Sequence, residues 1–127
     1  MSYRQELETA KKAALAAGQI LKEQKNNLNK SIFSSNTDIK LEADIVAEKL
    51  IKEILTDETS FPILAEESGQ SSDQLSDIFW VVDPLDGTAN YSRNIPICCV
   101  SIALIKNMEP VLGVIYDFSN NDLYEGS

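Results

Sequence analysis

Two aspartates, Asp83 and Asp86, directly follow an apolar run in the stretch WVVDPLDGTANY at residues 80–91. Pro84 lies between them, and a Gly-Thr pair follows the second aspartate. Two carboxylates held this close repel each other, and in a low-dielectric cleft the repulsion costs on the order of several kcal/mol. The pair is therefore either an acidic turn that faces water, because Asp-Pro and Asp-Gly are common turn dipeptides, or a pair of ligands that share one cation.

A second acidic pair in the sequence favours the interpretation that these carboxylates bind a cation. Glu66 and Glu67 follow the short apolar run Phe61–Ala65, so two successive predicted strands end in acids, and side by side they would bring their carboxylates to one edge. Taken alone, the second pair is more typical of an exposed turn. The chain has no histidine, and its only cysteines, Cys98 and Cys99, are adjacent in an apolar run, which disfavours zinc. Carboxylate oxygens instead suit Mg²⁺ or Mn²⁺.

The residues between and after the aspartates have the features of an anion site. Pro84 fixes the backbone of the turn and would hold both aspartates on the same side, and the Leu85 carbonyl is available as a further oxygen ligand. Gly87 allows close backbone approach. Gly87 and Thr88 then open a helical turn, whose unpaired N–H groups attract anions. A cation site beside an anion-binding turn is what phosphoryl chemistry requires.

Two long helices are predicted ahead of these strands. Small apolar residues recur on one helical face from about Tyr3 to Lys25, and a second apolar stripe runs from about Glu42 to Leu55. The Asn- and Ser-rich stretch NNLNKSIFSSNTD, residues 26–38, predicts a loop between them. A short helical segment is expected from about Thr88 to Ser92.

The rest of the chain predicts strands. Ile78–Val82 is a buried strand that ends at the first aspartate, and the DPLDGT sequence after it is expected to be a turn. Cys98–Ile105 and Val111–Tyr116 predict an antiparallel hairpin connected by Lys106–Pro110, followed by a second turn and the start of another strand. This order of elements predicts an α+β fold, with two helices packed on one face of a largely antiparallel sheet. Residues 1–127 are enough for one domain.

The composition narrows the class of partner. A formal net charge of −9 argues against a nucleic acid polymer or an anionic membrane surface as the partner. No apolar run approaches the roughly 18 residues of a membrane span, and the N-terminus lacks the apolar core of a signal peptide. Two adjacent cysteines that cannot pair with each other fit a reduced chain, so a cytoplasmic location is expected.

With these motifs in view, the sequence resembles the inositol monophosphatase family. WVVDPLDGTANY is similar to that family's W-x-x-D-P-[IL]-D-G-T-x-N-[FY] motif, which is highly specific. Ala65–Ser68 matches its G-E-E-S element, with Ala in place of Gly. Asp38–Asp44 resembles its D-x-x-T-x-x-D element, with Leu41 in place of Thr and Lys40 in place of an apolar residue. Ile95–Leu104 resembles the apolar strand that comes next in the family.

The resemblance implies a layered α/β sandwich of the inositol monophosphatase type and a Mg²⁺-dependent, lithium-sensitive phosphomonoesterase. Such an enzyme hydrolyses inositol monophosphate, or a similar small polyol phosphate, by metal-activated water. It implies two or three Mg²⁺ ions, with Mn²⁺ as a possible substitute and Li⁺ as an inhibitor, and a homodimer when the molecule is complete.

The family motifs also imply a role for each matching position. The metal ligands would be the carboxylates of Glu66, Asp83 and Asp86 and the carbonyl of Leu85. The substrate phosphate would contact Glu66, Asp86, Gly87 and Thr88, the last two through backbone N–H groups. Thr88, paired with Asp44, would orient the attacking water, and Glu67 would support the site or hold a weaker third metal through water.

Alternatives to this function remain open. A 3′(2′),5′-bisphosphate nucleotidase is one, although those relatives tend to read E-E-D and D-G-T-K-E-F where this chain has Glu66-Glu67-Ser68 and DGTANY. A non-catalytic truncated relative that acts as a binding module is another. Family members are longer, and their second half supplies a W-D-x-A-A-G element whose Asp completes the metal site. Residues 1–127 are therefore interpreted as the N-terminal part of one phosphatase, with little activity expected of this part alone.

Overall fold

The computed structural model of the chain describes residues 3–24, 31–34, 39–65, 69–70 and 76–127. In these ranges three helices and eight strands follow one another. The helices are α1 (Arg4–Glu23), α2 (Glu42–Glu58) and α3 (Thr88–Ser92). The strands are β1 (Ser31–Ser34), β2 (Ile39–Leu41), β3 (Ile63–Ala65), β4 (Gly69–Gln70), β5 (Ile78–Asp86), β6 (Cys99–Lys106), β7 (Glu109–Asp117) and β8 (Asp122–Gly126).

Both long helices bury an apolar face, and α1 has the narrow face of small residues that the sequence predicted. The buried face of α1 carries four alanines and a glycine between larger neighbours, and α2 buries two alanines with Ile51 and Leu55. Small side chains let the helix backbone approach the sheet closely. At Gly18 a Cβ atom would lie 2.4 Å from the Tyr116 ring, so no larger residue fits there without a shift. None of the helices in the described ranges is long and apolar enough to cross a membrane.

A six-stranded sheet carries the helices, in the order β4-β3-β5-β6-β7-β8. β3 and β5 are parallel, and every other neighbouring pair in this sheet is antiparallel. Alternate residues of the central strands are buried: Trp80, Val82, Ile102, Leu104 and Val114. They form one core with the alanine faces of α1 and α2. The predicted α+β architecture, two helices on a largely antiparallel sheet, is confirmed.

Two boundaries differ from the sequence-based expectation. The stretch at residues 26–38 was expected to be a loop, but Ser31–Ser34 within it forms β1, which pairs antiparallel with β2. Its Ile-Phe pair gives a short strand despite polar neighbours, because pairing with β2 supplies backbone hydrogen bonds that local composition does not reveal. The rest of that stretch, residues 26–30 and 35–38, lies outside the described residues.

The connection of the β6–β7 hairpin is shorter than expected. The strands extend to Lys106 and from Glu109, which leaves a turn of only Asn107 and Met108. Both turn residues have positive φ, 52° and 66°, as the tight turns of twisted hairpins require. Asn accepts this conformation readily, whereas Met at the second position gives no sequence signal for it.

Candidate metal and phosphate site

Strand β5 continues through both aspartates, where a turn had been expected. Asp83 pairs with Ser101 and Asp86 pairs with Cys99, so three steps along β5 match two steps along β6. This β-bulge accommodates Pro84, which could not donate to a regular ladder. Positions three apart on a regular strand point to opposite faces. Because their cross-strand partners are two apart, the bulge turns Asp83 and Asp86 to the same face.

The two aspartates have few partners among the residues that the structure describes. Asp83 is half-buried and its Oδ1 accepts a 3.3 Å hydrogen bond from the Leu85 N–H. Asp86 is exposed, and its Oδ2 lies 3.8 Å from the Cys99 Sγ. Burial, with these two carboxylates beside it, raises the pKa of the Cys99 thiol to about 11. None of the ion pairs found among the described residues involves Asp83 or Asp86.

Thr88 lies at the centre of a hydrogen-bonded group beside this strand end. Its Oγ1 donates to the Asp44 Oδ1 at 3.0 Å and lies 3.1 Å from the Leu85 carbonyl oxygen. Asp44 belongs to the first turn of α2, is 1% exposed, and accepts a 2.9 Å hydrogen bond from the Leu41 N–H through Oδ2. A carboxylate is favoured at a helix start by the unpaired N–H groups there. The group joins the start of α2 to the start of α3.

Gly87 makes the sharp turn from β5 into α3. Its φ of +93° is one that glycine adopts without strain. A Cβ at this position would lie 2.7 Å from the Ile97 carbonyl oxygen, so a side chain is excluded for steric reasons as well. The Gly87 carbonyl accepts a 2.9 Å hydrogen bond from the Tyr91 N–H, which closes the first turn of α3.

Tyr91 fastens α3 to the rest of the molecule. It is fully buried, and its hydroxyl donates a 2.7 Å hydrogen bond to the Leu21 carbonyl in the last turn of α1. Burial raises the pKa of the Tyr91 phenol to about 12, so the hydroxyl stays protonated and donating. Sequence reasoning gave no role to Tyr91 or to Asn90. The signal for both was present in the Asn-Tyr that ends the DGTANY sequence.

The structure brings some of the predicted site residues together. Asp44, Leu85 and Thr88 form one hydrogen-bonded group, adjoining Asp83 through the Leu85 N–H. Glu66 and Glu67, like Asp38, lie outside the described residues. In the parts of the chain that are described, no three acidic or cysteine side chains form a group that could hold a metal by themselves.

The register of the parallel pair shows where β3 ends along β5. Ala65, the last residue of β3, pairs with Val82, the residue before Asp83. β3 ends at this pair, whereas β5 continues to Asp86. The prediction that the two acidic segments lie side by side stays a prediction, because Glu66 and Glu67 lie outside the described residues.

Comparison with known proteins defines the class. Residues 2–127 match the model of the Inositol monophosphatase family, so the chain belongs to this family. It is 43% identical over 119 residues to a protein named Nus factor SuhB from Xylella fastidiosa, a match covering 91% of this chain and 42% of that one. A protein of Aquifex aeolicus named fructose-1,6-bisphosphatase/inositol-1-monophosphatase is 39% identical over 130 residues, covering 95% and 47%.

A solved structure gives the same result. The extragenic suppressor protein suhB from Bartonella henselae superposes with a TM-score of 0.87 at 35% identity, covering 94% of this chain and 48% of that one. The chain thus spans about half the length of the relatives that it matches.

Proposed function

We propose that the full-length protein is a Mg²⁺-dependent phosphomonoesterase that hydrolyses inositol monophosphate or a similar small polyol phosphate. One observation carries the proposal: the Thr88 hydroxyl is hydrogen-bonded to the buried Asp44, next to a strand end that bears two carboxylates without a cationic partner among the described residues. Membership of a family of phosphatases supports the reaction class.

The available ligand atoms fit a hard divalent cation. Asp83 and Asp86 present carboxylate oxygens on one face of β5, and the Leu85 carbonyl adds a neutral oxygen. Mg²⁺ is bound in this way, by one or two carboxylates together with water and substrate oxygens. Glu66 directly follows Ala65 in the sequence and would add a further carboxylate, with Glu67 in support. We propose that the site binds two or three Mg²⁺ ions, that Mn²⁺ can replace them, and that Li⁺ inhibits the enzyme.

The described residues would then act on water and phosphate. A bound divalent cation lowers the pKa of a nearby water and offsets charge on the phosphate oxygens. Thr88, whose proton is directed at Asp44, has oxygen lone pairs left to accept a hydrogen bond from the attacking water and so to orient it. The N–H groups of Gly87 and Thr88 would bind the substrate phosphate, and Asp86 and Glu66 would contact it. Asp44 serves as the charged acceptor that sets the direction of the Thr88 hydroxyl.

The proposal also covers the partner, the cellular location and the oligomeric state of the enzyme. The partner would be a small phosphorylated molecule and neither a nucleic acid polymer nor a membrane surface, which agrees with the net charge of −9. Cys98 and Cys99 form no disulfide within the described chain, in keeping with a cytoplasmic enzyme. We propose a homodimer as its assembly.

Phosphate release measured against Mg²⁺ concentration tests the proposal. We expect the full-length protein to release phosphate from inositol monophosphate only when Mg²⁺ is present. Asp86→Asn should lower kcat/KM by about a hundredfold or more and raise the Mg²⁺ needed for half-maximal rate, because a charged ligand is lost. Asp122→Asn is the control, since it makes the same change in charge on the exposed strand β8.

Two results would count against this function. Release from a 3′(2′),5′-bisphosphate nucleotide and none from inositol monophosphate would replace the substrate class by the nucleotidase alternative. If phosphate were released from neither compound at any Mg²⁺ concentration, the non-catalytic binding module would be the remaining alternative. Unchanged activity in Asp86→Asn would remove that residue from the metal site.

A further inference from the structure

Asn90 connects α3 to the segment that returns to β6. Its side-chain Nδ2 donates a 2.8 Å hydrogen bond to the Ile97 carbonyl. Its own backbone carbonyl accepts a 2.8 Å hydrogen bond from the Ile95 N–H. One residue therefore holds both ends of the 95–97 segment. Ile95 and Ile97 are 39% and 70% exposed, so burial of their own side chains contributes little to keeping this segment in place.

The atom that Asn90 holds is the one that lies against Gly87. A Cβ on Gly87 would come within 2.7 Å of the Ile97 carbonyl oxygen and 3.1 Å of the Cys98 Cβ, so the backbone there is in close contact with the returning segment. On its other side the Gly87 carbonyl is bonded to the Tyr91 N–H. Gly87 itself has no side chain to anchor it. Besides its chain neighbours Asp86 and Thr88, the two backbone groups that confine it therefore help to set its position.

We propose that Asn90 is a positioning residue of the active site. By holding the Ile97 carbonyl against Gly87, the Asn90 amide fixes the turn at Gly87 and Thr88 and so the direction of their N–H groups. The link to phosphate binding rests on the proposed function, whereas the effect on the turn does not. Loss of the amide should weaken phosphate binding with little effect on the Mg²⁺ requirement, because no atom of Asn90 bonds to Asp83 or Asp86 in the described structure.

Three variants of the full-length protein test this role. Asn90→Asp keeps the shape of the side chain but loses the donor, and Asn90→Ala removes the same bond without adding charge. Asn121→Asp is the matched control, because it makes the same Asn-to-Asp change elsewhere. The Asn121 amide oxygen accepts a 2.7 Å hydrogen bond from the Tyr116 hydroxyl, and an Asp retains that acceptor. The measurements are the Kd of inorganic phosphate with Mg²⁺ present, kcat and KM, the Mg²⁺ midpoint, and hydrogen exchange at the Tyr91 amide.

We expect both Asn90 variants to raise the Kd of phosphate and the KM about tenfold, the effect of one lost hydrogen bond. Exchange at the Tyr91 amide should accelerate about as much, while the Mg²⁺ midpoint and the Asn121→Asp control stay at wild-type values. Wild-type phosphate affinity and exchange in Asn90→Ala would overturn the proposal, and a defect confined to Asn90→Asp would assign the effect to charge. If the wild-type protein neither bound inorganic phosphate nor hydrolysed inositol monophosphate, the proposed function would fail. The exchange rates at the Tyr91 amide would still decide whether Asn90 fixes the turn.

Discussion

At the scale of single residues, the proposed chemistry of the site depends on the direction of the Thr88 hydroxyl proton. The Thr88 hydroxyl has one proton and two acceptors at nearly equal distance, the Asp44 carboxylate at 3.0 Å and the Leu85 carbonyl at 3.1 Å. A charged acceptor makes the stronger hydrogen bond, and more so where water is excluded, as it is around Asp44. The proton is therefore directed at Asp44. The Leu85 carbonyl oxygen retains its capacity to bind a cation.

Asp44→Asn tests this polarity with almost no change in shape. An Asn oxygen still accepts the Leu41 N–H, so its NH₂ group must face Thr88 and donate to the hydroxyl oxygen. The Thr88 proton then turns to the Leu85 carbonyl and competes with a cation for that oxygen, and Thr88 loses the charged acceptor that makes its own oxygen a better acceptor. We expect kcat to fall by about a hundredfold or more, with the melting temperature within a few degrees of wild type. Steady-state rates and circular dichroism measure the two effects.

Thr88→Ser provides the comparison for this variant, because it retains a hydroxyl within reach of Asp44. We expect it to keep most of the wild-type rate. Asp44→Asn turning over at the wild-type rate would show that the direction of the Thr88 proton has no part in hydrolysis.

At the scale of elements, the sequence predicts what local patterns determine. An apolar stripe at helical spacing predicted each of α1 and α2, and the short helical segment expected at Thr88–Ser92 is α3. The end of β5 was missed because Asp-Pro and Asp-Gly signal a turn, whereas pairing with β6 accommodates Pro84 in a bulge. Such a bulge depends on the partner strand, and no pattern within one segment reveals it. The contact between Thr88 and Asp44 was implied by family motifs, not by local periodicity.

α3 has only five residues and needs support from outside. The Tyr91 hydroxyl supplies it by bonding the Leu21 carbonyl. Tyr91→Phe should lower the free energy of unfolding by about 1–3 kcal/mol, because that carbonyl is left buried without this donor. Tyr124→Phe is the control, since the Tyr124 side chain is largely exposed. Urea unfolding of the full-length variants measures both.

Burial of the Tyr91 phenol predicts how this contribution depends on pH. The folded-state pKa of Tyr91, about 12, is raised above its ordinary value of 10. The stabilisation is therefore fully present below pH 10 and is lost as the pH rises towards 12. The difference between wild type and Tyr91→Phe should be constant from pH 7 to about 9 and shrink above about 10. A difference that instead grew with pH would contradict the assignment.

At the scale of the whole molecule, two kinds of charge repulsion destabilise the folded protein: repulsion spread over its acidic surface and local repulsion within the candidate site. The chain carries 20 acidic and 11 basic residues, and like charges spread over a surface oppose compaction. Dissolved ions of any kind reduce that general repulsion. The pair on β5 is different, because Asp83 and Asp86 share one face and have no basic partner among the described residues. A cation bound there would relieve a local cost that general screening leaves largely in place.

Mg²⁺ should therefore stabilise the full-length protein more than its ionic strength explains. A ligand that binds only the folded state adds about 2.7 kcal/mol at a hundred times its Kd, so the melting temperature should rise with the logarithm of the Mg²⁺ concentration once that exceeds the Kd. EDTA should reverse the rise. In Asp86→Asn this Mg²⁺-specific rise should be lost, whereas Asp122→Asn should keep it. Thermal scans at matched ionic strength separate the two effects, because NaCl screens all charges alike. If NaCl reproduced the whole rise, or if Asp86→Asn retained it, Mg²⁺ would be acting on the net charge of −9 and the site on β5 would hold no metal.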